Sequence, residues 1–171
     1  MITRLEATDQ DSKPIFTEFI GGLMRGVECL DQGRGKESIP PVPKITYNKS
    51  IQWESSMDID PLQPFVYDGC TQIHFPIHTS KQFAHQVGLP DIILQGTCTL
   101  AFAVKEIVNR EAGADPHRVQ SIACRFSDMV MPGTAITIQL MIRDDIGNVF
   151  FQVLNSHGKR AISHGHIKLT L

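Results

Sequence analysis

GTCTLAFAVKEIVNR, residues 96 to 110, decides the fold class. Leu100, Val104, Ile107 and Val108 recur at helical spacing, while Ala101, Phe102 and Ala103 leave the first half apolar nearly all round. A helix of that composition presents little polar surface to water, so it is expected to lie buried at the centre of its domain.

Toward the C-terminus the apolar period changes from 3.6 to 2. Ile122, Cys124 and Phe126 alternate first, then Ile136, Ile138, Leu140 and Ile142, then Val149, Phe151 and Val153. Pro132-Gly133, the run from Asp144 to Asn148, and Asn155-Ser156-His157-Gly158 separate these segments with turn chemistry, and a last strand runs through Leu171. Four antiparallel strands in consecutive order, a meander, are expected.

Toward the N-terminus, Ser80 is placed to cap a short helix, KQFAHQV, that Gly88 and Pro90 close. Asp60 and Pro61 open another toward Cys70. Ile45, Tyr47, Ile51 and Trp53 fall at odd positions and predict a first strand over Lys44 to Ser56. One strand, a buried helix and four antiparallel strands make an α+β class, an antiparallel sheet wrapped around a central helix. The Gly-, Pro- and charge-rich stretch DQGRGKESIPPVP, residues 31 to 43, reads as a linker. The expected division is therefore an extension over 1–43 and a domain over 44–171. Within the extension, residues 1 to 14 look polar and flexible, and Ile15 to Leu30, interrupted by Gly21, Gly22 and Gly26, a weak helix or irregular wrap.

With 171 residues, 42% apolar and 20% charged, the chain has the size and balance of one ordinary globular domain. A formal charge of -2 with both signs interspersed supplies no basic footprint, so neither nucleic acid nor a membrane surface is an expected partner. Cys29, Cys70, Cys98 and Cys124 form no C-x-x-C pair and suit a reducing compartment; Cys98, on the apolar helix, is expected to pack rather than react. The start, MITRLEATDQDSKP, is too polar for a signal peptide, and KLTL is not the SKL address, so a cytoplasmic location is expected with a peroxisomal one left open.

The segment YDGCTQIHFPIHTSKQFAHQVGLPDIILQGTCTLAFA, Tyr67 to Ala103, resembles the hydratase motif of MaoC-like proteins, in which S-G-D-x-N-P-[LIV]-H precedes a helix, G-[LF]-P and a [LI]-H-G-x-x-T turn. Thr71, Gln72 and Ile73 take the places of S, G and D; Phe75, Pro76, Ile77 and His78 take N, P, I and H. Gly88, Leu89 and Pro90 match the next block; Leu94, Gln95, Gly96 and Thr99 match the last, with Gln95 where histidine is usual. Arg125 to Ile142, RFSDMVMPGTAITIQLMI, is similar to the family's strand-turn-strand element, so the resemblance covers roughly the last two-thirds of the chain. ESIPPVPKITYNKSIQWE is also similar to the lead-in to the second half of double-hot-dog relatives, which would make residues 15 to 30 a remnant of a first half.

The resemblance implies a single hot-dog fold and a lyase acting on acyl thioesters. In the family an aspartate and a histidine hold one water and add it across an α,β-unsaturated thioester, or run the reverse dehydration. His78 is then the catalytic base. Backbone N–H groups near Gly96, with Gln95 and Thr99 beside them, would bind the thioester carbonyl and its developing negative charge. Ile73 can neither accept nor donate a proton, so the family's second polar group is missing; His74, Tyr67, Asp68 and Gln72 are the substitutes within reach along the chain, beside Gln95. Ile73 and Phe75 together are expected to make the site an apolar pocket around His78. The expected substrate is an α,β-unsaturated or 3-hydroxy acyl or polyketide thioester. The alternatives are dehydration, isomerisation or cyclisation of a released specialised metabolite, and a non-catalytic acyl-binding or structural hot-dog subunit.

No cofactor is implied. His74 and His78 at i, i+4 suggest a metal pair, but Pro76 between them breaks the helix that spacing needs and no third ligand completes a site, so no metal is expected. His164 and His166 are expected to share a solvated or interface face of the last strand. A single hot dog leaves a sheet edge and one side of its helix open, and family members cover both by pairing, so a homodimer is expected.

Overall fold

The computed structural model describes every residue except Arg25, Gln32, Lys36, Glu37 and 44–49, so Ile45 and Tyr47 of the expected first strand lie outside the described residues. Two compact units are present, 1–41 and 42–171.

The first unit corrects the expectation of a flexible start and a weak helix. Strand β1 (Ile2–Thr8) pairs antiparallel with β2 (Pro14–Gly21). The turn between them is built by Asp9, whose Oδ1 accepts the N–H groups of Asp11 and Lys13 at 2.9 Å each, with Ser12 at a φ of 63°. Short polar side chains that satisfy their own backbone are what a tight reversal requires.

In the second unit β3 (Trp53–Asp58) is followed by three helices, α1 (Gln63–Thr71), α2 (Lys81–Gln86) and α3 (Gly96–Glu111), and then by β4 (Val119–Phe126), β5 (Ala135–Arg143), β6 (Asn148–Leu154) and β7 (Arg160–Leu169). The sheet is antiparallel with spatial order β3-β5-β6-β7-β4. This is the hot-dog arrangement and the α+β class expected. Ser80 caps α2 through the N–H of Phe83 at 3.3 Å, and Gly88 beyond it takes the left-handed φ of +81°.

Only β5 to β7 form the expected meander. β4 pairs with β7 at the far edge and not with β5. Pro132-Gly133 is no hairpin between β4 and β5: the Gly133 N–H bonds Ile59 O, and the Ile59 N–H bonds Thr134 O, both at 2.9 Å, which anchors this crossing to the end of β3.

The core joins the inner face of α3 to the sheet. Cys98, Ala103, Ile107 and Val108 meet Ile136, Ile138, Leu140, Val149, Phe151, Val153, Ile162 and Ile167, all buried. Each buried Val, Leu, Ile or Phe side chain among them contributes about 1.5–3 kcal/mol by leaving water. Trp53 ties β3 to the end of α3: its Nε1–H donates to Glu111 Oε1 at 2.7 Å, and the Arg110 guanidinium lies 4.6 Å from its ring centroid.

α3 is not buried all round, as its first half suggested. Thr97, Ala101 and Lys105 are exposed and Leu100 and Val104 half-buried on its outer face. With Val108, Pro116 and Ile122 they line an apolar groove of about 540 Å³. Among the described residues no helix is long and apolar enough to cross a membrane.

Candidate active site

α1 ends where Gln72 takes a left-handed φ of 58°, a turn that reverses the chain. The Gln72 side chain is spent on that helix end, its Nε2 donating to Gly69 O at 2.9 Å. The chain then runs through Ile73, His74 and an extended Phe75 into a single 3-10 turn, Pro76–His78, with α2 beyond it. Proline at the start of that turn costs no hydrogen bond and fixes the backbone in front of His78.

His78 is half-buried, and its Nδ1 lies 2.8 Å from Ile93 O. A carbonyl only accepts, so Nδ1 carries the proton and Nε2 of the neutral ring is left with its lone pair, the form of a general base. The same two segments are knitted a second time by the Ile93 N–H to Ile77 O at 3.2 Å. Phe75 meets the His78 ring nearly edge-on, centroids 6.1 Å apart, and Phe83 on its other contact at 6.4 Å.

Three residues past Ile93 begins α3. Gln95 is its N-cap residue, and its Nε2 donates to Pro64 O in α1 at 3.0 Å. The first N–H groups of a helix have no carbonyl four residues back, so those of Gly96 and Thr97 are available to an anion or a carbonyl oxygen. Gly96 is glycine for a packing reason: a Cβ there would stand 2.9 Å from the Phe126 ring at the end of β4. Thr99 is buried one turn in, its hydroxyl donating back to Gln95 O at 3.4 Å, so it braces the helix start. Leu94 N–H to Val130 O at 2.8 Å fixes the segment from the sheet side.

The structure thus brings together His78, Gln95, Gly96 and Thr99 around residues 93–96. Tyr67 packs against the core from α1. His74 is drawn to Asp68 instead, Nδ1 to Oδ2 at 3.0 Å. Ile73 is 61% and Phe75 50% exposed, so the expected pocket of both around His78 is corrected: the aromatic ring on the imidazole is that of Phe75, with Phe83 behind it. Phe126 over Gly96 went unassigned in the sequence; its signal was the arginine-phenylalanine pair at 125–126, whose contact with the helix start no local pattern reveals. Burial pushes the Cys98 thiol up to about 11 against a weak contact from Gln63, so it is protonated near neutral pH and packs as a small apolar group.

His164 and His166 do not share a face, contrary to expectation. His164 has a φ of 52° at a register shift and is exposed; His166 is buried with Nε2 3.0 Å from Asn148 Oδ1.

A family model described as MaoC like domain matches residues 44–163. Peroxisomal multifunctional enzyme type 2 of Drosophila melanogaster is 27% identical over 173 residues, covering 99% of this chain and 28% of that protein. Enoyl-CoA hydratase 2, peroxisomal, of Arabidopsis thaliana is 37% identical over 67 residues, 39% of this chain and 22% of that one. The chain therefore spans less than a third of these curated relatives. Among solved structures, a MaoC-like dehydratase from Phytophthora capsici superposes with a TM-score of 0.86 at 24% identity, covering 99% of this chain and 56% of the other, a likeness of fold.

Proposed function

The chain belongs to the family of MaoC-like domains, and from that premise we propose that it is a hydro-lyase that adds water to, or removes it from, an acyl thioester, with His78 as its base. The observation that carries this reading is the Nδ1–H of His78 on Ile93 O, which fixes the tautomer with Nε2 as the acceptor. In the hydration direction the water oxygen bonds to the β-carbon as Nε2 takes one of its protons. The same imidazolium then returns that proton to the α-carbon, and the amide N–H groups of Gly96 and Thr97 hold the carbonyl oxygen while it carries enolate charge. Each atom is accounted for with one titrating side chain.

The name of the Arabidopsis relative supports an enoyl-CoA as the thioester, and the apolar contacts of Phe75 and Phe83 suit an acyl chain; a polyketide thioester fits the same chemistry. The Ile73 substitution favours a second reading, a hot-dog domain that binds acyl groups without turning them over. All four cysteines are free thiols, as a reducing compartment keeps them. This reading places the chain in the cytoplasm, with the peroxisome as the alternative that the relatives' names carry.

Steady-state hydration of crotonyl-CoA separates the two functions. Turnover above the uncatalysed rate is expected; undiminished binding of the thioester with no turnover would leave only the acyl-binding domain.

A further inference from the structure

Among the described residues three buried side-chain oxygens have no protein donor, and two lie on α1 and on the segment that enters α3: Oδ1 of Asp68 and Oε1 of Gln95. The third, on Gln152, lies in β6 beside Gln139. Asp68 is 8% and Gln95 5% exposed, so neither oxygen is hydrated by bulk solvent. A buried acceptor left without a donor costs about 1–3 kcal/mol, more when charged, and a fold keeps two of them together where a guest supplies the hydrogens.

The two side chains meet at the same turn of α1. Gln95 Nε2 donates to Pro64 O, and in an α-helix that carbonyl also receives the N–H of residue 68, one turn on. The Gln95 carboxamide is therefore clamped beside the turn that carries Asp68. Two residues earlier the same segment holds His78 through Ile93 O. Residues 93–95 thus tie the base, the start of α3 and the Asp68 turn into one cluster. The other carboxylate oxygen is occupied: Oδ2 receives Nδ1–H of His74, which is 66% exposed on the loop after the left-handed turn at Gln72.

We propose that Asp68, presented from α1, takes the part of the aspartate missing at position 73. Its Oδ1 accepts the second O–H of the reacting water, the one that survives as the 3-hydroxyl of the product, while His78 Nε2 takes the first. No proton passes to Asp68, so the balance of the addition is unchanged. Gln95 places α1 against the start of α3, and His74 is a positioning residue that turns the carboxylate.

This inference rests on the hydro-lyase reading, and the test keeps the two apart. Hydration of crotonyl-CoA is measured for the full chain, for His78→Ala, for Asp68→Asn and for Asp68→Glu. The expected result is a fall in kcat of about 10²-fold or more for Asp68→Asn with KM little changed, and a smaller loss for Asp68→Glu, which keeps a carboxylate on the same turn of α1. Thermal midpoints of all four proteins separate loss of chemistry from loss of fold. Full activity in Asp68→Asn beside an inactive His78→Ala overturns the assignment and leaves the reading intact. A loss that is as large in Asp68→Glu, or that comes with a lowered thermal midpoint, makes Asp68 structural and overturns it as well. An inactive wild-type chain overturns both.

Discussion

His78 and Gly96 show how far single positions reveal a site before the fold is known. Both are marked by neighbours in the chain, a proline two residues before the histidine and a threonine three residues after the glycine, so both were legible as candidates. The pairing of Asp68 with His74 was not, because it depends on Gln72 adopting a left-handed conformation that reverses the chain, and glutamine advertises no such turn. Phe126 is a second residue of this kind: 30 positions separate it from Gly96, and only the sheet brings its ring onto the glycine. Gly96→Ala follows from that contact. Its methyl group must push the ring aside at the point where the thioester carbonyl is proposed to bind. The expected outcome is a fall of about 10-fold or more in kcat/KM with a stability loss of about 1–3 kcal/mol. Unchanged kinetics would show that the ring yields freely and that the carbonyl is held elsewhere.

The elements were readable where periodicity is local, as in α2, α3 and β5 to β7, and misread where a partner far along the chain decides. β4 has the alternation of any strand, so its place at the far edge beside β7 could not be told from a place beside β5. The outer face of α3 is built of Ala101, Leu100 and Val104, which look like core residues in a sequence. β7 carries a further element-scale consequence. His166 is held neutral: burial lowers its affinity for a proton below the ordinary 6.5, Lys168 on the same strand adds to that, and Asp144 opposes it less strongly. Asp144 stays ionised because, although burial pushes its carboxyl up, its bonds from Asn148 and Ile146 and the charge of Lys168 hold it below the usual value. Since the unfolded chain binds the His166 proton more readily than the folded one, its contribution to stability is full above about pH 6.5 and declines as pH falls below that value. Denaturant midpoints measured from pH 7.5 to pH 5 should fall for the wild-type chain and fall less for His166→Gln. Equal slopes would contradict this account of the strand.

For the whole molecule, the α+β class was legible because a buried helix followed by antiparallel strands has few ways to close a core, and the hot-dog architecture was implied by the resemblance of Tyr67 to Ala103 to MaoC-like proteins. The N-terminal hairpin was not, since its strands carry a weak apolar alternation and its turn is signalled only by the DQDS run. The groove on the outer face of α3 supports the homodimer expected of a hot dog with one open side: apolar residues at 100, 101, 104, 108 and 122 border it with a single cation, Lys105, among the residues lining it. Light scattering should give twice the chain mass, and Ala101→Glu, which puts a charge in that groove, should give a monomer; a monomeric wild-type chain would remove the groove's proposed occupant. The central claim, that this domain is a hydro-lyase working through one imidazole, meets its most direct test in kcat/KM for crotonyl-CoA hydration by the wild-type chain and by His78→Ala. A loss of about 10²- to 10⁴-fold in the variant, at an unchanged thermal midpoint, is the result predicted. A variant that hydrates the thioester as fast as the wild-type chain would contradict it.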